Sequence, residues 1–124
     1  VSTDGSSIME LRLGDAGGIE DTGYTAFTST LAAGLTNTTS TTGFSITGSG
    51  GATIVEHAQI ILSLENASTN RWTITGTGHD AGNATGQLYA GSKALSAELT
   101  QVRLTTRNGT DAFDAGAINI SYEF

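Results

Sequence analysis

Alternation of apolar and polar residues with a period of two dominates this 124-residue chain and is clearest near its end. Val102 and Leu104 alternate with polar neighbours, and residues 118–124 repeat the pattern. Successive side chains of a strand point to opposite faces, so both stretches are predicted to be half-buried strands. Asn108-Gly109 between them predicts a type I′ turn that folds the first strand back on the second, and residues 111–116 leave room for a bulge. The C-terminus is therefore expected to be tied into the sheet by Ile118, Ile120, Tyr122 and Phe124.

The same alternation recurs along the rest of the chain. It predicts strands at residues 7–14, 24–31, 43–47, 54–66, 71–75 and 87–90. Stretches rich in glycine or hydroxyl residues predict loops at residues 35–42, 76–86 and 91–97, while residues 94–99 fit either one helical turn or a crossover between strands. About eight short strands at this spacing indicate an all-β class, with residues 1–124 forming a single antiparallel β-sandwich that is jelly-roll-like.

Facing directions within the predicted strands separate core positions from surface positions. Trp72 shares a face with Ile74, and Tyr122 shares a face with its neighbouring isoleucines, so both rings are predicted to lie in the core. The apolar positions predicted to be exposed are candidates for contacts between subunits. They are Ile8, Phe27, Ile61 and Leu99.

Charge and composition exclude several classes of partner. The formal charge is −7 with only five Lys and Arg residues, which argues against nucleic acid and against anionic membrane surfaces. Cysteine is absent, so the chain has neither a disulfide nor a thiol nucleophile. The longest apolar run is the Ile60–Leu62 block, which is far too short to span a membrane. The chain begins at Val1 without Met, which indicates processing, trimming or a longer parent chain.

Candidate chemistry is sparse. His57 and His79 are the two histidines, and His79-Asp80 would place an imidazole beside a carboxylate. Serines are so abundant that a Ser-His-Asp set could be composed almost anywhere, and its availability carries no information. We interpret both histidines as ordinary loop residues and predict that the protein is not an enzyme and needs no cofactor.

Two acidic loops contain oxygen ligands of the kind that Ca²⁺ prefers. Neither loop matches a calcium-binding motif, and aspartate in a tight turn usually bonds its own backbone, so turn formation is the favoured interpretation. The candidate ligands are Asp15, Glu20 and Asp21 in the first loop and Asp111 and Asp114 in the second.

A carbohydrate-binding module without enzymatic activity is the alternative from another functional class. Sugar sites combine an aromatic platform with polar side chains, and the chain has four residues of these types in its central region. The candidate glycan contacts are Trp72, Tyr89, His79 and Asp80.

Three segments together resemble a small β-sandwich module of tailed-bacteriophage virion proteins. They are Leu11-Arg-Leu-Gly-Asp-Ala-Gly-Gly-Ile-Glu20 with Thr22-Gly-Tyr24, Asn70-Arg-Trp72, and Leu104-Thr-Thr-Arg-Asn-Gly-Thr-Asp-Ala-Phe-Asp-Ala-Gly-Ala-Ile-Asn-Ile-Ser-Tyr-Glu123. The resemblance covers nearly the whole chain, and its most specific part is the pattern Asn-Gly-Thr-Asp-x-Phe-Asp-Ala-Gly-x-Ile-Asn.

The resemblance implies a non-enzymatic part of the extracellular phage particle, of the tail-fibre, head-fibre or decoration type. It also implies contacts with other virion proteins, a homo-oligomer with a trimer favoured, and recognition of a host-surface glycan. The chain has no coiled-coil or shaft repeat, so a tip, collar or decoration module is expected instead of a complete fibre.

Overall fold

A computed structural model describes residues 1–123 of the chain and confirms the all-β class. Those residues contain eleven strands and no helix. The strands are β1 (Ser2–Thr3), β2 (Met9–Asp15), β3 (Gly18–Ile19), β4 (Tyr24–Leu31), β5 (Leu35–Ser40), β6 (Phe44–Ser45), β7 (Glu56–Asn66), β8 (Arg71–Asp80), β9 (Thr85–Ala94), β10 (Gln101–Thr106) and β11 (Phe113–Ala115). The number exceeds the predicted eight mainly because several are only two or three residues long.

The strands form three antiparallel sheets. The largest has five strands in the order β5-β4-β9-β8-β7. The second has the order β10-β2-β3, with β6 also pairing with β2, and the third is the short β1-β11 pair. The five-stranded and four-stranded sheets pack through apolar side chains as the layers of a sandwich, while the jelly-roll assignment stays a prediction.

The core lies between these two layers. Leu13 and Phe44 from the four-stranded sheet pack with Tyr24 and Ile74 from the five-stranded sheet. The Tyr24 and Phe44 rings meet edge to face, with centroids 5.1 Å apart and an interplanar angle of 88°, a favourable arrangement for two aromatic rings. Trp72 is half-buried and packs against the same cluster, in agreement with its predicted core position.

All three predicted loops lie wholly or partly in strands, because they have sheet neighbours that their composition does not reveal. Residues 91–94 of the predicted loop 91–97 form the end of β9. Residues 35–40 form β5, whose threonines suit a strand and pair with β4 along its length. Residues 76–80 continue β8, and β9 begins at Thr85, so the connection is only residues 81–84. His57 and His79 therefore lie on paired strands and not in loops as predicted.

The prediction of a closing strand at residues 118–124 is wrong for residues 118–123, which belong to no strand; Phe124 lies outside the described residues. The side chains predicted to be in the core are 58% (Ile118), 73% (Ile120) and 78% (Tyr122) exposed. The predicted hairpin is also absent, since β10 pairs with β2 and β11 pairs with β1. A chain turn does occur at Asn108-Gly109, but only Gly109 has a positive φ (70°), whereas a type I′ turn needs two such residues.

Within residues 1–123 the structure has no helix that is long and apolar enough to cross a membrane.

Candidate functional site

The five-stranded sheet has one face on the core and one face directed away from it. We name the second the outer face, and the strand register sets it out in four rows across β5, β4, β9, β8 and β7. The rows are Thr25, Ser92, Thr73 and Ser63; Thr39, Phe27, Ala90, Thr75 and Ile61; Asn37, Ser29, Leu88, Thr77 and Gln59; and Leu35, Leu31, Gly86, His79 and His57.

Within these four rows the outer face contains no Asp, Glu, Lys or Arg, although the chain carries a formal charge of −7, while Arg71 lies on the same side at the start of β8, in register with Ala94. Charged side chains begin only at its margin, with Glu65 and Arg71 near the turn between β7 and β8. Depletion of charge is a compositional mark of the centre of protein interfaces. The outer face is therefore the part of the surface best suited to a protein contact.

Several large apolar side chains of the outer face are exposed to solvent. Ile61 is 58% exposed, Leu88 46% and Phe27 42%. Ile61 and Leu88 border a shallow depression of about 350 Å³. Leu31 and Leu35 continue the apolar surface across β4 and β5. Large apolar side chains exposed together on one face usually mark an interaction site.

The sequence identified only part of this surface. Of the four predicted subunit contacts, Phe27 and Ile61 are exposed on the outer face. Ile8 and Leu99 are half-buried, and Leu99 packs against the core. Leu88 was missed as a surface residue because the sequence pattern favours Leu88 and Ala90 as the buried side of this strand, whereas in the structure Gln87 and Tyr89 are buried and Leu88 is exposed.

The two histidines form a cross-strand pair at one corner of the outer face. His57 and His79 are directly opposite in the β7-β8 register, and their rings stack with centroids 5.0 Å apart. Neither ring has a carboxylate partner among the ion pairs of the described residues. The pair thus contributes a flat, polar edge to the outer face.

The four candidate glycan contacts do not share one surface. His79 lies on the outer face, whereas Trp72, Tyr89 and Asp80 point to the opposite, inner side of the same sheet. Tyr89 and Asp80 are both buried. Asp80 Oδ1 accepts hydrogen bonds from the Val55 and Gly82 backbone N–H groups at 2.9 Å each, so this carboxylate organises the end of β8.

The hydroxyl of Tyr89 is hydrogen-bonded to a buried carboxyl group, that of Glu56. Glu56 is 2% exposed and accepts hydrogen bonds from the Tyr89 hydroxyl and, at 3.0 Å, from Gln87 Nε2. Burial, together with the nearby Asp80 carboxylate, outweighs the lowering effect of the Tyr89 hydrogen bond and raises the pKa of Glu56 to about 7. A carboxyl with such a pKa suits proton transfer, but this one is covered by its own partners, and we assign it to the stability of the fold.

Glycine makes this arrangement possible at two positions of β8. A Cβ atom at Gly76 would lie 3.2 Å from Tyr89 Cδ2, and one at Gly78 would overlap the Tyr89 hydroxyl and lie 2.5 Å from Glu56 Oε1. The Tyr89 side chain can therefore lie across β8 and reach β7 only because these two residues have no side chain.

A cleft of about 200 Å³ lies beside this cluster, between the end of the five-stranded sheet and residues 49–54. Its polar lining includes Asp80, Gln87, Thr30 and Thr85. Gln87 is 4% exposed, and its Oε1 atom has no hydrogen-bond partner among residues 1–123. A donor from outside the chain would satisfy such a buried acceptor.

The first predicted calcium loop holds two carboxylates that bond to the protein itself. Asp15 Oδ1 accepts from the Gly17 N–H at 2.7 Å, and Asp15 Oδ2 accepts from the Ser96 hydroxyl at 2.6 Å. Glu20 forms an ion pair with Lys93. Burial alone would raise the pKa of Glu20, but the bonds from Lys93 and Ser96 lower it to about 2. Asp21 is exposed and takes no part in this set.

The second predicted calcium loop fastens the two ends of the chain together. Asp111 Oδ2 accepts from the Ser7 N–H at 2.8 Å, and Asp111 Oδ1 accepts from Asn108 Nδ2 at 2.6 Å. Asp114 Oδ1 accepts from the Ser2 hydroxyl at 2.5 Å. In the part of the chain that the structure describes, no group of three His, Asp or Glu residues is placed to hold a metal ion.

A second buried carboxylate, which the sequence did not single out, bridges the two large sheets. Glu10 accepts from Arg107 Nε at 2.7 Å, from Arg12 Nη2 at 3.0 Å and from the Ser40 hydroxyl at 2.8 Å. Burial alone would raise the pKa of Glu10, but the hydrogen bonds from Arg107, Ser40 and Arg12 lower it below its ordinary value. The cluster therefore joins β2, β5 and the end of β10 as a structural element.

No family model matches the chain, and no curated protein or solved structure matches it either.

Proposed function

We propose that the protein is a non-enzymatic structural module of a bacteriophage particle that contacts neighbouring copies through the outer face. The observation that carries the proposal is the absence of charge on this face in a chain of formal charge −7. The resemblance of residues 104–123 to phage virion modules supports the assignment to a particle. The pattern that carries this resemblance includes Asp111 and Asp114, which fasten the two ends of the chain together.

The choice of a second copy as the partner follows from electrostatics. Two copies of a strongly acidic chain repel each other wherever acidic surfaces approach, and a face without Asp or Glu removes that penalty. Five strands at about 4.8 Å and rows spanning about seven residues give a face of roughly 24 Å by 23 Å, or about 550 Å². Two such faces bury about 1,100 Å², which is near the lower end of specific interfaces.

A charge introduced into the outer face tests the contact. Leu88→Glu is expected to weaken self-association at least about tenfold, because a carboxylate buried in an interface loses several kcal/mol of hydration. Val102→Glu is the matched control, since Val102 is 42% exposed on β10 of the other sheet. Sedimentation velocity over a range of concentrations measures the effect. Equal association of the two variants would refute the role of the outer face.

Mass spectrometry of purified phage particles tests the location. The protein is expected among the particle components, and its detection in cell fractions but never in particles would refute the assignment to the virion.

The second candidate function, a carbohydrate-binding module, is favoured by the cleft beside Gln87. Its volume of about 200 Å³ exceeds the roughly 10–15 Å³ that one water needs, and the unpaired Gln87 Oε1 would accept a hydrogen bond from a sugar hydroxyl. An NMR titration with a panel of monosaccharides tests this function. Thr85→Val in the cleft is expected to abolish the shifts, while Thr77→Val on the outer face is the control. No shift with any sugar would remove this candidate.

A further inference from the structure

The end of the chain has the pattern of a strand, although it belongs to no strand among residues 1–123. Residues 117–123 alternate apolar and polar side chains outside every sheet of the described structure. Ile118 and Ile120 are among the most exposed large apolar side chains of the described residues. β-branched residues in alternation favour a half-buried strand, so the segment has the sequence of a strand while its isoleucines stay in solvent.

A long open edge exists on the five-stranded sheet. β7 (Glu56–Asn66) has eleven residues and is the last strand in the order β5-β4-β9-β8-β7. The Glu56 N–H and C=O are bonded to Val1, and the open edge lies beyond that point. A long edge strand presents a row of backbone donors and acceptors that readily pair with another strand.

The side chains of β7 match those of the terminal segment. Toward the inner side β7 presents Ile60 and Leu62, which are half-buried, and Leu64, which is 48% exposed. A strand added beside β7 with Ile118 and Ile120 on this side would cover all three.

In the same register Asn119, Ser121 and Glu123 would point outward and extend the outer face by one polar strand, with its single charge at the end. The apolar side chains of the segment would thus lie beside the apolar inner side of β7, and its polar side chains would lie beside the polar outer face.

We propose that residues 117–123 of one copy add as a strand to the β7 edge of a second copy. This inference rests on the proposed function, since it states how copies of the module are linked. Within one chain, Gly116 contacts Val1, which itself pairs with the start of β7. Val1 therefore lies between Gly116, where the segment begins, and the start of the same chain's β7 edge.

The donating and accepting surfaces differ, and contacts of this type close into rings when the rotation between copies allows it. The predicted trimer is one such ring.

Two substitutions in the full chain test the proposal. Ile118→Asp combined with Ile120→Asp is expected to weaken self-association at least about tenfold, because a carboxylate would replace each apolar side chain placed against β7. Val102→Asp, on an exposed position of β10, is the control. Sedimentation velocity gives the oligomeric state, and hydrogen exchange of the β7 amides reports whether the edge is covered. In the wild type we expect protection of alternate β7 amides that increases with protein concentration.

A synthetic peptide of residues 115–124 completes the test. Added to the double variant, it is expected to restore protection of the β7 amides, and the Leu88→Glu substitution should leave this restoration intact. The proposal is overturned if the double variant associates like the wild type, or if a monomeric wild type shows the same β7 protection at every concentration. If Leu88→Glu loses association and the double variant does not, the outer-face contact is supported and strand addition is refuted. If the double variant loses association and Leu88→Glu does not, strand addition is supported and the outer-face contact is refuted.

Discussion

The buried carboxyl of Glu56 makes the stability of the fold depend on pH in an unusual direction. Burial raises its pKa from an ordinary 4.5 to about 7. As pH rises from about 4.5 to about 7, the unfolded chain releases this proton while the folded chain retains it, so the folded state becomes less stable over that interval. The difference of about 2.5 between the two pKa values corresponds to about 3 kcal/mol. Above pH 7 the loss is complete and no further change from this group is expected.

Glu56→Gln isolates the contribution. A neutral amide keeps an oxygen that accepts from the Tyr89 hydroxyl, and a 180° flip of Gln87 would let its unpaired Oε1 accept from the new NH₂ group. We expect the variant to be more stable than the wild type by about 3 kcal/mol at pH 7.5 and about equally stable at pH 4.5. The comparison cancels every other titrating group, because both proteins share them.

Urea unfolding followed through the fluorescence of Trp72, the single tryptophan, gives both free energies at each pH. The half-buried position of this ring makes its emission sensitive to unfolding. A stability difference between the two proteins that stays constant from pH 4.5 to 7.5 would refute the assignment of the raised pKa to Glu56. A Glu56→Gln variant less stable than the wild type at pH 7.5 would show that the carboxylate is better solvated in the fold than its burial implies.

Two further predictions concern neighbouring clusters. Gly78→Ala is expected to destabilise the fold by about 1–3 kcal/mol, because the new methyl group would overlap the Tyr89 hydroxyl. Gly86→Ala is the control and should change the urea midpoint little, since its Cβ would meet Leu31 at 3.8 Å. Equal midpoints for the two variants would contradict this packing. Lys93→Met is expected to lower the free energy of unfolding by about 1–3 kcal/mol at pH 6, because it removes the ion pair with Glu20. The pKa of Glu20 is lowered to about 2 in the fold, so this effect should disappear as pH falls from about 4.5 toward 2 and the carboxylate protonates. An effect that does not change with pH would exclude the ion pair as its cause.

Hydrophobic alternation was a good guide where large apolar residues recur on the core-facing side of a strand. It placed β2, β4, β7 and the start of β8 correctly, because each has one face on the core. It failed at residues 118–123 for a physical reason. Alternation reports that a segment can bury one face as a strand, but it does not report whether an edge is placed to pair with it.

The polar clusters could not have been predicted from local sequence. Glu56 acquires its environment from Tyr89, which lies 33 positions away, through two glycines that the sequence suggested were part of a loop. Glu10 meets Arg107 across 97 positions. An alternating pattern predicts on which side of the sheet a residue lies, but it does not identify the distant residue that the side chain contacts. A glutamate in a strand is therefore expected to face solvent when only its sequence is known.

The placement of the basic residues explains why the outer face differs from the rest of the surface. Three of the five, Arg12, Arg107 and Lys93, are paired with Glu10 or Glu20 near or within the layers of the fold. The surface is therefore left with acidic groups that few cations balance. An acidic surface keeps copies apart at most orientations, whereas the proposed contact through the outer face avoids this repulsion. The proposed assembly therefore uses the side of the five-stranded sheet on which repulsion between acidic groups is weakest.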